Sequence, residues 1–292
     1  MTRLIIDTDV ALGVWHEGRP RDIDDGFAIV EAINSSKIDL LGVTCVFGNG
    51  PQDEVYRVAG ELVNLKQATV PVHRGAAVAM AKDSATNPAV TFLAEQLARQ
   101  PLTIAAIGPL TNIGLLIKHY PEVLGNIEQL IMVAGRTPGR EFYIGEAGPV
   151  QDFNFENDVD AAELVMQAGI PCVLMGFELT SQVCVTAGDL QTIKQRANPT
   201  AGYFYDNSIA WCDYWTQTFP VDDGFHPWDS AAIAWLLNPG WFASEARGHQ
   251  VNREPDQLNC ATTLSGPQHT YCYGFQPGGA EAFVQQVIAE VY

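Results

Sequence analysis

Short apolar runs alternate with helix-period segments from the first residues to beyond the middle of the chain, and this alternation limits the possible folds more than any other feature. The apolar runs are rich in β-branched side chains and cover residues 4–7, 38–47, 70–72, 102–107, 129–134 and 171–177. Helical periodicity covers residues 25–34, 53–64, 89–99, 112–119 and 158–168. This order predicts an α/β fold with a mostly parallel central sheet flanked by helices.

After about residue 190 the pattern changes. An aromatic helical stretch around Trp211 and Trp215 leads to a second helix that begins near Trp228. Short strand-like runs near residues 261–264 and 270–275 then precede an amphipathic helix over residues 279–292. No linker or repeat interrupts the chain, so we expect one domain over residues 1–292, with a Rossmann-like core and helical and short-strand additions.

The composition excludes several classes of partner. The formal net charge is -18, from 34 acidic against 16 basic side chains, which disfavours nucleic acid. The six cysteines are scattered and indicate reduced thiols rather than a zinc site. No segment approaches the ~20 apolar residues that a membrane span needs. The N-terminus enters a strand directly after Arg3, so we expect a cytoplasmic protein without a membrane partner.

Four aspartates suggest a metal site. Asp7 and Asp9 end the first predicted strand, and Asp24 and Asp25 open the next helix. Carboxylates that converge there repel one another unless a cation neutralises them, and all-oxygen ligation favours calcium or magnesium. The alternative is that Asp24 and Asp25 only cap their helix, a role that acidic residues often fill.

Two loops strengthen the metal interpretation. Gly48-Asn49 follows the second strand, and the loop of residues 108–112 follows the fourth, so both should open on the same sheet edge as the aspartates. Each loop taken alone is also an ordinary turn, because Gly, Pro and Asn populate turns for backbone reasons. A cleft shared by the loops and the aspartates is the more economical interpretation.

Motifs distributed along the chain resemble those of the nucleoside hydrolase family, at compatible intervals and over most of the chain. They are Asp7-Thr8-Asp9 with Asp24-Asp25, Gly48-Asn49, Gly108-Pro109-Leu110-Thr111-Asn112, Asp152-Phe153-Asn154 and Trp228-Asp229. The N-terminal aspartates are the most specific part of the match. The resemblance implies a calcium-dependent enzyme that hydrolyses the N-glycosidic bond of nucleosides and acts as a homo-oligomer, a dimer or a tetramer.

The resemblance also assigns roles to residues. It implies that Ca²⁺ is held by Asp9, Asp25, the backbone carbonyl of Ile107 and Asp229. It implies that Asp9 is the general base for a calcium-bound water. The residues implied to hold the ribose hydroxyls are Asp24, Asn49, Asp152 and Asn154.

The leaving base is expected to meet Trp228. The family often has a histidine immediately before the last metal-binding aspartate, whereas this chain has Trp228, with His226 two residues earlier. The large π-face of a tryptophan favours stacking against the base. A tryptophan in this role resembles the purine-preferring branch of the family. His226 is an alternative general acid, because imidazole titrates near working pH, or else a surface-loop residue. Trp228 is otherwise a buried core residue, and Glu178 is expected to be structural.

The sequence departs from the family at two places. Residues 10–23 separate Asp9 from Asp24, whereas the family usually has about three residues there; such a loop costs little free energy. We expect the insertion to cover the cleft and Trp15, His16 or Arg19 to contact substrate. In the ribose site, Asp152 and Glu146 replace the expected Glu and Asn, which alters reach and charge around the sugar.

Two other functions compete with the hydrolase. A catalytically weak calcium-containing protein that binds a nucleoside or sugar conjugate would account for the altered ribose contacts. A phosphatase of the D-x-D type would use Asp7 as its nucleophile, although that chemistry does not require Asp24-Asp25 or Trp228-Asp229.

Overall fold

The computed structural model describes residues 1–141 and 149–292. Its strands are β1 (Thr2–Thr8), β2 (Trp15–His16), β3 (Arg19–Pro20), β4 (Ile38–Cys45), β5 (Val72–Arg74), β6 (Leu102–Ala106), β7 (Ile127–Val133), β8 (Cys172–Met175), β9 (Val185–Thr186), β10 (Gly224–Phe225), β11 (Phe242–Arg253), β12 (Asp256–Ala261) and β13 (His269–Phe275). Its helices are α1 (Asp24–Asn34), α2 (Gln52–Leu65), α3 (Pro88–Arg99), α4 (Thr111–His119), α5 (Phe153–Glu156), α6 (Val159–Gln167), α7 (Phe177–Thr180), α8 (Ala187–Lys194), α9 (Pro199–Thr218), α10 (Ser230–Leu237) and α11 (Gly279–Ala289), with 3₁₀ turns at Pro121–Asn126 and Pro239–Trp241.

Within the described residues, nine strands form one sheet in the order β12-β11-β13-β8-β7-β6-β1-β4-β5. Strands β5, β4, β1, β6, β7, β8 and β13 run parallel, and β11 is antiparallel to both β12 and β13. The chain leaves β1 first toward β4 and β5, and later returns to its other side with β6. Open α/β sheets place their ligands where the strand order reverses in this way, outside the carboxyl ends of the strands.

The first half of the chain confirms the predicted α/β fold with its mostly parallel sheet. Every predicted strand and helix before residue 180 overlaps an observed one. The poorest match is β5, predicted at residues 70–72 and observed at Val72–Arg74. Pro71 has no N–H to donate to a ladder, so the strand begins after it.

Apolar side chains fill both faces of the sheet. Along β1, Leu4 and Ile6 point into the core that contains α1 and α9, whereas Ile5 points into the core that contains α3 and α4. Successive strand residues face opposite sides, so a strand buried on both faces must be apolar throughout. This explains why continuous apolar runs, rather than alternating ones, identified the central strands.

The region after residue 240 was predicted less well. A strand was expected near residues 261–264, whereas β12 ends at Ala261, and the twelve-residue strand β11 was not predicted. Strand β11 carries many charged and polar residues because much of it is only half-buried or exposed. Its pairing on both sides, with β12 and β13, depends on partners distant in sequence rather than on its own periodicity.

The insertion of residues 10–23 folds into a small hairpin in which His16 of β2 pairs with Arg19 of β3. Its two turn residues, Glu17 and Gly18, have φ of 52° and 77°. Two successive positive φ angles characterise the tight turn that matches the twist of antiparallel strands. Strand β3 lies against α9, so the insertion returns to the sheet edge that carries the aspartates.

A membrane span was not expected, and none of the described helices combines the length and apolar character needed to cross a bilayer.

Candidate active site

A cavity of about 370 Å³ opens at the carboxyl ends of the parallel strands. Residues that follow β7 and β8 line it, including Gly135 and Phe177, together with the first residue of α1, Asp24. Two groups of side chains define it chemically. We call Asp9, Asp24, Asp25 and Asp229 the carboxylate cluster; Asp24 and Asp229 line the cavity, and Asp9 and Asp25 are buried beside them. We call the aromatic residues of α9 and the following loop the aromatic cluster; these are Trp211, Tyr214, Trp215, Phe219 and Trp228.

The carboxylate cluster joins residues from three parts of the chain. Asp9 follows β1, Asp24 and Asp25 begin α1, and Asp229 immediately precedes α10. Carboxylate oxygens of Asp24, Asp25 and Asp229 lie within 4.8 Å of one another. The structure therefore brings Asp24 and Asp25 together with Asp229, and the charges of Asp24 and Asp25 act on Asp9. Asp7, the fourth aspartate that the sequence placed near a metal, is not part of this cluster.

Backbone and hydroxyl donors occupy one oxygen of several of these carboxylates. The N–H of Asn49 donates to Asp9 Oδ2 over 2.7 Å, and the N–H of Asp229 donates to Asp24 Oδ2 over 2.9 Å. Thr8 donates its hydroxyl to Asp25 Oδ1. Among the described residues, Asp9 Oδ1 and Asp25 Oδ2 are buried without a hydrogen-bond partner. Such oxygens cost free energy unless something neutralises them, so these residues fit a hard divalent cation.

The electrostatics of the carboxylate cluster agree with this fit. Burial, followed by the charge of Asp24, raises the pKa of Asp25 to about 7. Burial and then the charge of Asp25 raise the pKa of Asp9, and burial and then the charge of Asp24 raise the pKa of Asp229. Carboxylates that repel one another in a dry site must take up protons or bind a cation.

Two glycines allow the loops to approach Asp9. A Cβ atom at Gly48 would lie 2.0 Å from Asp9 Oδ2, and one at Gly108 would lie 2.9 Å from the Asp9 backbone nitrogen. Non-bonded atoms do not approach so closely, so neither position accepts a side chain without a shift of Asp9. The predicted convergence of these loops on the aspartates is therefore observed, and it has a steric reason.

The predicted backbone ligand lies beside a predicted ribose contact. The Ile107 carbonyl accepts a hydrogen bond of 3.1 Å from Asn154 Nδ2, which also donates to the Val133 carbonyl over 3.2 Å. Asn154 lines the cavity, as do Asn49 and Asp24. A carbonyl oxygen has two lone pairs, so the bond from Asn154 leaves Ile107 able to accept a further partner.

Asp152, another predicted ribose contact, also lines the cavity. Gly135 donates its N–H to Asp152 Oδ2 over 2.8 Å. Burial raises the pKa of Asp152 to about 6, although the Gly135 N–H and the charge of Arg136 oppose this effect. Glu146, the remaining predicted ribose contact, lies outside the described residues.

The aromatic cluster occupies much of the remaining lining. Trp228 lies edge-to-face with Trp215, with ring centroids 5.1 Å apart, and is nearly parallel to Phe177 at 6.4 Å. Trp228 is only half-buried and contributes to the cavity surface. Trp228 is therefore not merely a core residue, and it lies where a planar ligand would meet it.

His226 lies away from the cavity surface. It is 1 % exposed and packs beside Trp228 and Trp215, with ring centroids 5.2 Å and 5.6 Å away. Its Nδ1 is 2.7 Å from the Val183 carbonyl and its Nε2 is 3.3 Å from Asp222 Oδ2. His226 is thus not a surface-loop residue, and its placement argues against the expected role as an acid that protonates a base in the cavity.

The insertion contributes residues that the sequence did not fully predict. Arg19, Arg21 and Asp22 line the cavity, whereas Trp15 and His16 do not. Arg19 was expected to contact substrate; Arg21 and Asp22 were not. Each strand of this hairpin has only two residues, so an alternating pattern cannot predict which side chains face the cavity. The aromatic lining from α9 was also missed, although the stretch was recognised as an aromatic helix.

Two other residues have contacts away from the cavity. Asp7 is fully buried, accepts hydrogen bonds from Thr44 and Asn112, and belongs neither to the cavity lining nor to the carboxylate cluster, which disfavours a phosphatase that uses it as a nucleophile. Glu178 accepts hydrogen bonds from Thr137 and Tyr271 and faces Arg247, which agrees with the structural role expected of it.

Comparison with known proteins assigns the chain to a family. The family model for inosine-uridine preferring nucleoside hydrolase matches residues 4–272. The non-specific ribonucleoside hydrolase RihC of Salmonella schwarzengrund is 30 % identical over 269 residues, which cover 83 % of this chain and 81 % of that protein. RihC of Escherichia coli K12 is 31 % identical over 246 residues, covering 75 % and 77 %.

Solved structures show the same fold. A purine-preferring ribonucleoside hydrolase from Gardnerella vaginalis has a TM-score of 0.84 at 21 % identity, with 99 % of both chains covered. A plant nucleoside hydrolase has a TM-score of 0.82 at 20 % identity, again with 99 % of both covered. The family match and the relatives together show that the chain belongs to the inosine-uridine preferring nucleoside hydrolase family and is an N-glycosyl hydrolase of ribonucleosides.

Proposed function

We propose that the protein hydrolyses purine ribonucleosides to ribose and a free base, with Ca²⁺ held by Asp9, Asp25, Asp229 and the carbonyl of Ile107. One observation carries this proposal. The oxygens of Asp9 and Asp25 that are buried without a hydrogen-bond partner among the described residues lie in the carboxylate cluster, and Asp24 and Asp229 of that cluster line the same cavity as the aromatic cluster.

The donor set favours calcium over softer metals. All the proposed ligand atoms are carboxylate or carbonyl oxygens, and the carboxylates come from separate elements. Calcium accepts six to eight oxygen ligands in flexible geometry, whereas magnesium requires a near-ideal octahedron. When bound, the cation would lower the pKa of a water and orient the sugar hydroxyls.

Asp9 is the proposed general base. Its Oδ2 is held by the Asn49 N–H at 2.7 Å, so the carboxylate has a defined orientation. Its Oδ1 has no partner among the described residues and is the atom that would take the proton of the attacking water. A base positioned in this way contributes ~10²- to 10⁴-fold to a rate.

The sugar would lie over the carboxylate cluster. Asp24, Asn49, Asp152 and Asn154 line the cavity next to it and supply acceptors and donors for ribose hydroxyls. Glu146 stays a prediction for this site. Cleavage of the glycosidic bond develops positive charge on the sugar ring, and carboxylates fixed nearby stabilise that charge.

The aromatic cluster supports the proposed preference for purines. Stacking on a tryptophan favours the larger π-face of a purine over that of a pyrimidine. The related proteins differ in this respect: RihC is named non-specific, and the Gardnerella vaginalis enzyme is named purine-preferring. The expected dimer or tetramer and the cytoplasmic location stay predictions from the sequence.

A panel of nucleosides assayed with Ca²⁺, with Mg²⁺ and with a chelator tests the proposal. We expect release of free base from inosine and guanosine that is faster than from uridine, lost with chelator and restored best by Ca²⁺. Calorimetry with Ca²⁺ should show one binding site that Asp229→Asn weakens. Turnover unaffected by chelator would refute the metal, and nucleoside binding without turnover would favour the catalytically weak binding protein.

A further inference from the structure

The insertion places two positive charges on a cavity that is otherwise acidic and aromatic. Among the described residues that line the cavity, Arg19 and Arg21 are the only cationic side chains, and none is a histidine or a lysine. Both arginines come from the segment between Asp9 and Asp24. Any positive charge that a ligand meets from these lining residues therefore comes from the insertion.

Arg19 lies on the aromatic side of the cavity. Its Nη1 donates to the Tyr214 hydroxyl oxygen over 3.3 Å, and its guanidinium carbon is 5.9 Å from the centroid of the Tyr214 ring. Tyr214 belongs to the aromatic cluster on α9. Arg19 is thus held beside the rings on which the base is proposed to stack.

Arg21 follows two residues later and immediately precedes Asp22, which lines the cavity with Asp24. It is only 7 % exposed. Its Nη2 donates to Glu17 over 2.5 Å, but its buried Nε has no hydrogen-bond partner among the described residues. A buried guanidinium needs partners for its donors, and Arg21 lines the cavity, where a ligand can supply them.

The proposed reaction produces a hydrogen-bond acceptor for these arginines, namely the departing base. When the N-glycosidic bond breaks, its electron pair goes to the base, the attacking water bonds to the anomeric carbon, and the water proton goes to Asp9. The base leaves as an anion unless it is protonated, and its charge spreads over the ring nitrogens and any exocyclic oxygen. A guanidinium is always charged and offers several fixed donors, so it stabilises such an anion without transferring a proton.

We propose, on the basis of the function proposed above, that Arg21, assisted by Arg19, binds the departing base and stabilises its negative charge. The inserted hairpin thus supplies the leaving-group activation for which the sequence suggested His226. Because the base is the group recognised, substrates with acceptor atoms on the ring edge, such as 6-oxopurines, benefit most. The released anion takes its proton from solvent.

Two substrates with different leaving groups test this proposal. Nitrophenolate is a stable anion, so p-nitrophenyl riboside needs little help to leave, whereas inosine needs much. We expect Arg21→Met to lower kcat/KM for inosine by about 100-fold, the usual effect of one lost electrostatic donor, and for p-nitrophenyl riboside by less than about fivefold. Arg21→Lys should recover part of the inosine activity because it keeps the charge.

Three further variants separate this role from a structural one. Glu17→Gln removes the ion pair of Arg21 but keeps the guanidinium of Arg21. It should leave kcat/KM unchanged for both substrates. Arg57→Met is the matched control, because Arg57 is an exposed arginine on α2 that is paired with Glu54 and Glu61. If Arg21→Met does not fold, Arg19→Met at an exposed position should show the same selective loss, by about tenfold.

The outcomes distinguish the two proposals. Equal losses on both substrates would mean that Arg21 and Arg19 only support the cavity, and would overturn this inference while leaving the hydrolase intact. A wild-type protein that cleaves neither substrate would overturn the proposed function and this inference with it.

Discussion

The carboxylate cluster and the aromatic cluster meet at one cavity but are built in different ways. The carboxylates begin or follow elements of the sheet core, and Asp9, Asp25 and Asp24 are each at most 2 % exposed. The aromatic rings come from one helix, α9, and from the loop between α9 and α10, and three of them, Tyr214, Phe219 and Trp228, are only half-buried. In the first group, Asp9 and Asp24 each accept a hydrogen bond from a backbone N–H, whereas the rings of the second group are held mainly by contacts with one another.

This difference suggests that the two clusters have different functions. Atoms that must be placed within fractions of an ångström, such as a base or a metal ligand, benefit from rigid elements and fixed hydrogen bonds. Rings that recognise a base tolerate small displacements because stacking varies gradually with geometry. We therefore expect substitutions in the carboxylate cluster to affect all substrates, and those in the aromatic cluster to change the choice among substrates.

The largest effect is expected for Asp9→Asn. An amide cannot take the proton of the attacking water, so kcat should fall by about 10³-fold for purine and pyrimidine nucleosides alike. Steady-state kinetics with inosine and uridine measure this loss. The exposed Asp213→Asn on α9 is the control, and Asp9→Asn activity within tenfold of wild type would refute the role of Asp9 as base.

A selective effect is expected for Trp228→Ala. Loss of the stacking surface should reduce kcat/KM for inosine by about 10- to 100-fold. The loss for uridine should be smaller. Trp15→Ala is the matched control, because Trp15 is 64 % exposed and does not line the cavity. If the ratio of kcat/KM for inosine to that for uridine did not change, the aromatic cluster would not control the choice among substrates.

Glu31 is a buried carboxyl outside the carboxylate cluster, so it shows what burial alone does to the pKa of a carboxyl group. It lies on α1, and burial raises its pKa to about 8, although the polar groups of Ser230 and Gln286 oppose this shift. The unfolded chain ionises near pH 4.5, while the folded protein keeps the proton until about pH 8. Ionisation therefore favours unfolding across this window, by at most ~1.4 kcal/mol per pH unit.

Glu31→Gln should remove this dependence. Relative to wild type, the variant should gain free energy of unfolding between pH 5.5 and pH 8.5, as measured by urea denaturation, whether or not Ca²⁺ is present. Glu281→Gln at an exposed position of α11 provides the control. Equal pH dependence of Glu31→Gln and wild type would show that burial does not keep Glu31 protonated.

The smallest effect on turnover is expected for His226→Gln. Because His226 does not line the cavity, kcat for inosine should stay within roughly threefold of wild type, far from the ~100-fold loss expected for a general acid. The melting temperature should fall, since the variant disturbs a buried bond to the Val183 carbonyl. A large loss of kcat at unchanged stability would restore His226 as the acid.

The central strands and the placement of Asp9, Asp24 and Asp25 at one sheet edge were predictable because their signals are local. A strand buried on both faces must be an apolar run, and the residues after parallel strands share one sheet edge. Asp9, Asn49 and the loop of residues 108–112 could therefore be placed together from order alone. Strand β11 was not predictable in the same way, because its sequence is polar and its pairing partners, β12 and β13, follow it in the chain.

The sequence by itself determined the α/β fold, the sheet edge that carries the site, and the placement of Asp9, Asp24 and Asp25 there, whereas Asp229 was assigned by the family resemblance. Only the tertiary structure decided that Arg19 and Arg21 reach the cavity while His16 does not, and that His226 faces Val183 and Asp222 instead of a ligand. The reason is that side chains in loops and short hairpins take their direction from packing partners far along the chain, such as α9, and no local periodicity records those contacts.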